Sequence, residues 1–131
     1  MSYAIQTTVS GEFGSVCEST RQALAGQGFG VLTEIDLQAT LKKKTDKDIP
    51  AYLILGACHP ASAYASIQAE PRVGLMLPCN VIVRQLEGDQ VEVAAIDPAA
   101  MMAPIGNPDL TPIAEDIRER LQRAIDALSV T

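Results

Sequence analysis

Tyr3, Ile5, Thr7 and Val9 fall on one side of an extended run, and Phe13, Val16, Cys17, Thr20, Leu24 and Gln27 then recur at helical spacing. The pattern predicts a strand over Tyr3–Val9 and a helix over 12–27. Ser10-Gly11 offers that helix an N-cap, and Gly28 stands where a C-terminal glycine stops one. Period two returns over Phe29–Ile35, with Phe29, Val31, Thr33 and Ile35 opposed to Gly30, Leu32 and Glu34, a half-buried strand. Asp36 is placed to cap a short helical turn over Leu37–Lys44.

Ala51–Cys58 is almost continuously apolar and predicts a central strand. Pro60 suits the first turn of a short helix over Ala61–Ala69. Leu75–Leu86 is expected as one long strand, with Leu75, Leu77, Cys79, Val81 and Val83 on one face and Pro78 at an edge or bulge. Glu87-Gly88-Asp89 turns it into an antiparallel partner over Gln90–Ile96. A Met- and Pro-rich irregular stretch follows, to Pro108. Thr111-Pro112 caps a last helix over 112–129 with Ile113, Ile117, Leu121, Ala124, Ile125 and Leu128 as its apolar stripe. Asp116–Arg120 and Glu119–Arg123 are its expected i,i+4 pairs. About five strands and two long helices predict an α+β fold, with a mostly antiparallel sheet carrying both long helices on one face. Apolar residues on both sides of the long strand (Leu75, Leu77 and Val81 against Met76 and Ile82) predict that the other face is covered by a second copy, making a twofold homodimer.

The 131 residues suit a single domain, 1–131. Their 47% hydrophobic and 20% charged content is that of a globular chain, and the 4% aromatic content leaves the core to aliphatic residues. A net charge of −6 disfavours nucleic acid. Lys42-Lys43-Lys44 and Lys47, interrupted by Asp46 and Asp48, fit a solvated helix end better than a phosphate site. No window approaches a membrane span. The opening MSYAIQTTVS lacks the charged and apolar regions of a secretory signal. Cys17, Cys58 and Cys79 are then expected as reduced thiols and the compartment as the cytoplasm.

From Tyr52 to Met101 the chain resembles the bacterial and archaeal "domain of unknown function 302" family. The resemblance is carried by Leu53-Ile54-Leu55-Gly56-Ala57-Cys58-His59-Pro60, Gly74-Leu75-Met76-Leu77-Pro78-Cys79-Asn80-Val81, and Ile96-Asp97-Pro98 with Met101. The residues around Phe13, Leu24, Gly28-Phe29-Gly30-Val31 and Asp36 extend it over most of the chain. The resemblance implies a small domain with a TATA-binding-protein-like sheet and helices, often dimeric, and assigns no activity.

Candidate chemistry concentrates at Cys58, His59 and Cys79. A thiolate beside an imidazole can attack a carbonyl or hold a soft metal, and Cys58 with Cys79 is the metal-binding pair to test. Adjacent strand residues point to opposite faces, however, and no CxxC spacing is present, so buried structural thiols are the competing reading. Cys17 fits core packing. The Pro78-Cys79-Asn80 irregularity and the Asp97-Pro98 turn with Met101 and Met102 complete the set. A pocket gathering Cys58, His59, Cys79, Asn80, Asp97 and Met101 would make the chain a small-ligand or soft-metal binding module. A Cys-dependent enzyme or redox carrier using Cys58 or Cys79 is the alternative, and a ligand-free structural dimer the third reading. No phosphate loop, carboxylate pair or Ser/His/Asp triad is evident.

Overall fold

A computed structural model describes residues 2–129. Its strands are β1 (Ala4–Ser10), β2 (Gly30–Asp36), β3 (Tyr52–Cys58), β4 (Cys79–Gln85) and β5 (Gln90–Ile96). The helices are α1 (Phe13–Gly26), α2 (Leu37–Thr45), α3 (Pro60–Ala69), α4 (Pro98–Met102) and α5 (Thr111–Leu128). All four strand pairings are antiparallel, in the order β1-β5-β4-β3-β2, so the fold is the expected α+β open sheet.

One face of the sheet carries α1 and α5. Leu55, Ala57, Cys79, Val81, Val83, Val91, Val93 and Ala95 meet Val16, Cys17 and Leu24 of α1 and Ile117, Leu121, Ala124, Ile125 and Leu128 of α5. Side chains such as Leu24, Leu55 and Leu121, nearly or wholly buried, each contribute about 1.5–3 kcal/mol by leaving water. A second cluster, Val73, Met102, Leu110 and Ala114, anchors α4 and the segments around it to the first turn of α5.

Several local expectations change. Glu12, rather than Ser10-Gly11, caps α1: its carboxylate accepts from Gly14 N at 3.0 Å and Ser15 N at 2.8 Å. Those backbone donors hold its pKa below the ordinary 4.5. Gly28, with φ +86°, follows the end of α1 as expected. Asp36 caps α2 through Ala39 N at 2.9 Å. β2 slips register between Val31 and Thr33, leaving Leu32 as a bulge at the sheet edge. The long strand expected from Leu75 starts only at Cys79, because Pro71–Met76 winds into a 3-10 helix capped by Glu70. Pro78 thus stands before β4, after a cis Leu77-Pro78 bond. Thr111 lies inside α5, entered directly from the 3-10 turn Pro108–Leu110, which Asn107 caps. Asp116 and Arg120 pair at 3.0 Å, whereas Arg123 turns to Gln27 Oε1 at 2.9 Å instead of to Glu119.

Candidate functional site

β3 and β4 run antiparallel with Ala57 opposite Cys79, so Cys58 and Cys79 sit one register step apart on neighbouring strands. Alternation separates their side chains. Cys79 joins Ala57 in the core at 3% exposure, and Cys58, one residue on, turns to the other side and is half-buried. Burial pushes the Cys79 thiol up to about 11, with the Cys58 thiol adding to the shift. Cys17 is likewise raised by burial. A proton held this tightly opposes thiolate chemistry at neutral pH. Among the described residues no group of three or more His, Cys, Asp or Glu side chains is arranged to hold a metal ion.

His59 is occupied at the start of α3. Its Nδ1 accepts from Ser62 N at 3.3 Å and lies 2.8 Å from Ser62 Oγ. Its ring stands edge-on to Phe29 at 5.9 Å between centroids and packs over Gly28. It lines a shallow groove of about 360 Å³ together with Ser62, Ile113 and Asp116.

Asp97 is fixed by three contacts. Oδ1 accepts from Ala99 N at 2.9 Å and Ala100 N at 3.4 Å, and Oδ2 accepts from Arg118 Nε of α5 at 3.0 Å. The residue is 9% exposed, so one buried carboxylate both caps α4 and clamps it to α5. Met101 packs against both apolar clusters. Asn80 is exposed on β4, one residue beyond Cys79 and therefore on the side away from the helices. Cys79 and Met101 thus share the helix side of the sheet, and Asn80 lies across it.

Two features lie outside this set. The first is the sheet face that no helix covers. Register places Ala94, Ile82, Ile54 and Ile35 side by side across β5, β4, β3 and β2. Tyr52, Arg84 and Glu92 form the next row, with Arg84 Nε 2.6 Å from Glu92 Oε1. Ile35 is 45% exposed and the neighbouring Leu32 66%. The second is a cavity of about 320 Å³ where α4 and the following turns meet α5, floored by Met102, Leu110 and Ala114. Ile82 stood out in the sequence, but its true row-mates come from three other strands. The cavity left no sequence signal, since its lining comes from residues 99–115, where the sequence shows only an irregular stretch leading into a helix.

No helix among the described residues is long and apolar enough to cross a membrane. Among curated proteins none matches the chain. Among solved structures it is similar to the crystal structure of an uncharacterized conserved DUF302 protein from Bacillus stearothermophilus. The two share 26% identity over 98% of this chain and 99% of that one, with a TM-score of 0.91. The family model described as "Domain of unknown function DUF302" matches residues 5–128. Nearly the whole chain is covered in sequence and in fold, and it belongs to the DUF302 family.

Proposed function

We propose that this chain is a binding module rather than an enzyme, and that its working form is a twofold homodimer closed across the open sheet face. The observation that carries the reading is the row Ala94–Ile82–Ile54–Ile35, aligned by register across four strands on the side without helices.

Scale and charge both favour a second copy as the partner. Five strands of seven residues span roughly 23 by 24 Å, or about 550 Å² in projection before side-chain relief is counted. That approaches the roughly 800 Å² per partner of a standard interface. The chain carries a net charge of −6, so two copies repel except where they meet on neutral ground. The open face is neutral ground. Arg84 is the one cation its described strand residues carry, and Glu92 neutralises it. The same pairing leaves a phosphate backbone without a counter-charge, which argues against nucleic acid on this sheet. The buried Cys79 thiol, with its raised pKa, favours a structural role for Cys79 over its part in the Cys-dependent alternative.

Light scattering on the wild type, Ile54→Glu and Ile82→Glu tests the reading. The wild type should show twice the chain mass of 13.9 kDa at micromolar concentration, and each variant the single mass with unchanged circular dichroism. A monomeric wild type, or variants that stay dimeric, would overturn it.

A further inference from the structure

We infer that the cavity between α4 and α5 binds a small apolar primary amine, with its alkyl body on the Met102–Leu110–Ala114 floor and its ammonium at Glu115. This rests on the binding-module reading above and gives that module its ligand site.

The floor belongs to the second apolar cluster and is well buried: Met102 is 3% exposed, Leu110 2% and Ala114 3%. Ala99, Ala103 and Gly106 also line the cavity, and being small they leave the space open. At about 320 Å³ the cavity stands at the lower end of the roughly 300–1,000 Å³ typical of small-molecule sites, which limits it to a short chain.

The lip chooses the head group. Thr111 and Glu115 lie one turn apart on α5, so both point over the same cavity. Neither the Thr111 hydroxyl nor the Glu115 carboxylate has a side-chain partner among the described residues. The other polar side chain at the cavity is committed: Asn107 donates to Ala69 O at 3.0 Å and accepts from Asp109 N at 2.9 Å. No lysine or arginine lines the site, and the nearest cation on α5, Arg118, is paired with Asp97. The N-terminus of α5 contributes a partial positive charge of about half a unit at most, which the full charge of Glu115 outweighs. An ammonium is therefore favoured over a neutral head, and a carboxylate is disfavoured.

Titrating the full-length protein with hexylamine, hexan-1-ol and hexanoate, followed by amide chemical shifts, tests this. Hexylammonium should bind best and hexanoate worst, with shifts centred on Ala99, Ala103, Gly106 and Ala114. Glu115→Gln should weaken hexylammonium by roughly threefold, as expected of an exposed charge pair, and leave hexanol unchanged. Rising salt should reproduce that selective loss. Ala103→Leu, at an exposed wall position, should abolish binding of all three while the chain stays folded. Absence of binding, equal affinities for the three probes, or full binding by Ala103→Leu would overturn the inference. The dimer mass is measured separately, so failure here leaves the assembly reading standing, and a monomeric mass would fail that reading alone.

Discussion

Replacing Gly56 by alanine adds one methyl group on the side of β3 that faces away from the helices, since Leu55 and Ala57 on either side point into the core. A Cβ built there lies 2.7 Å from Pro78 Cγ and also collides with Thr33 Oγ1. The two obstacles differ. Thr33 is exposed and its hydroxyl can rotate away, whereas the Pro78 ring is held between the 3-10 segment and the start of β4. Overfilling a packed site costs about 1–3 kcal/mol. The alanine returns about 0.5–1 kcal/mol by restricting the unfolded chain. The net expectation is a loss of about 1–2 kcal/mol, or a Tm lowered by about 3–10 °C for a domain of this size. Calorimetry on Gly56→Ala, alone and combined with Thr33→Ala, apportions the clash. Thr33→Ala should recover little of the loss, because the Pro78 ring still blocks the new methyl group. A Gly56→Ala protein as stable as the wild type would refute the packing described for the 77–80 segment.

In the monomeric Ile54→Glu variant Cys58 should alkylate readily at pH 8, whereas Cys17 and Cys79 should react only on unfolding; a fast-reacting Cys79 would restore it as a candidate nucleophile. Because folding raises the Cys79 pKa, its contribution is intact below the ordinary 9.0 and is lost as pH rises from there to about 11. The loss amounts to at most about 2–3 kcal/mol, so the stability gap between wild type and Cys79→Ala should narrow across that window. His59→Ala should cost about 1 kcal/mol in denaturant unfolding and His59→Asn much less, since asparagine also caps; equal damage from both would rule out capping as the main role.

Much of the architecture was legible because period and punctuation agreed. Alternation over Gln90–Ile96, the Glu87-Gly88-Asp89 reversal and the stripe from Ile117 to Leu128 each had one structural solution. The start of β4 was not legible in the same way. Gly74-Leu75-Met76-Leu77 is apolar enough to pass for strand, but Pro71 and the Glu70 cap wind it into a 3-10 turn. A short apolar run does not distinguish the two. The uncovered face was anticipated from Leu75, Leu77 and Val81 set against Met76 and Ile82, of which only Val81 and Ile82 belong to a strand and Val81 faces the helices. Its other members are fixed by register, which single-sequence reading does not supply. Asp97 was recognisable as a cap of its own turn, yet its partner Arg118 comes from another helix. The nearness of Cys58 and Cys79 was legible in outline, but the parity that turns them to opposite faces was not, because it depends on the register that sets Ala57 opposite Cys79.

The most direct test of where two copies meet is an isotope-filtered NMR experiment on a sample mixing labelled and unlabelled chains. Intermolecular contacts should join the methyl groups of Ile35, Ile54, Ile82 and Ala94 to one another across the open sheet face. Contacts arising instead from the outer surfaces of α1 and α5, or no intermolecular contacts at all, would contradict the account.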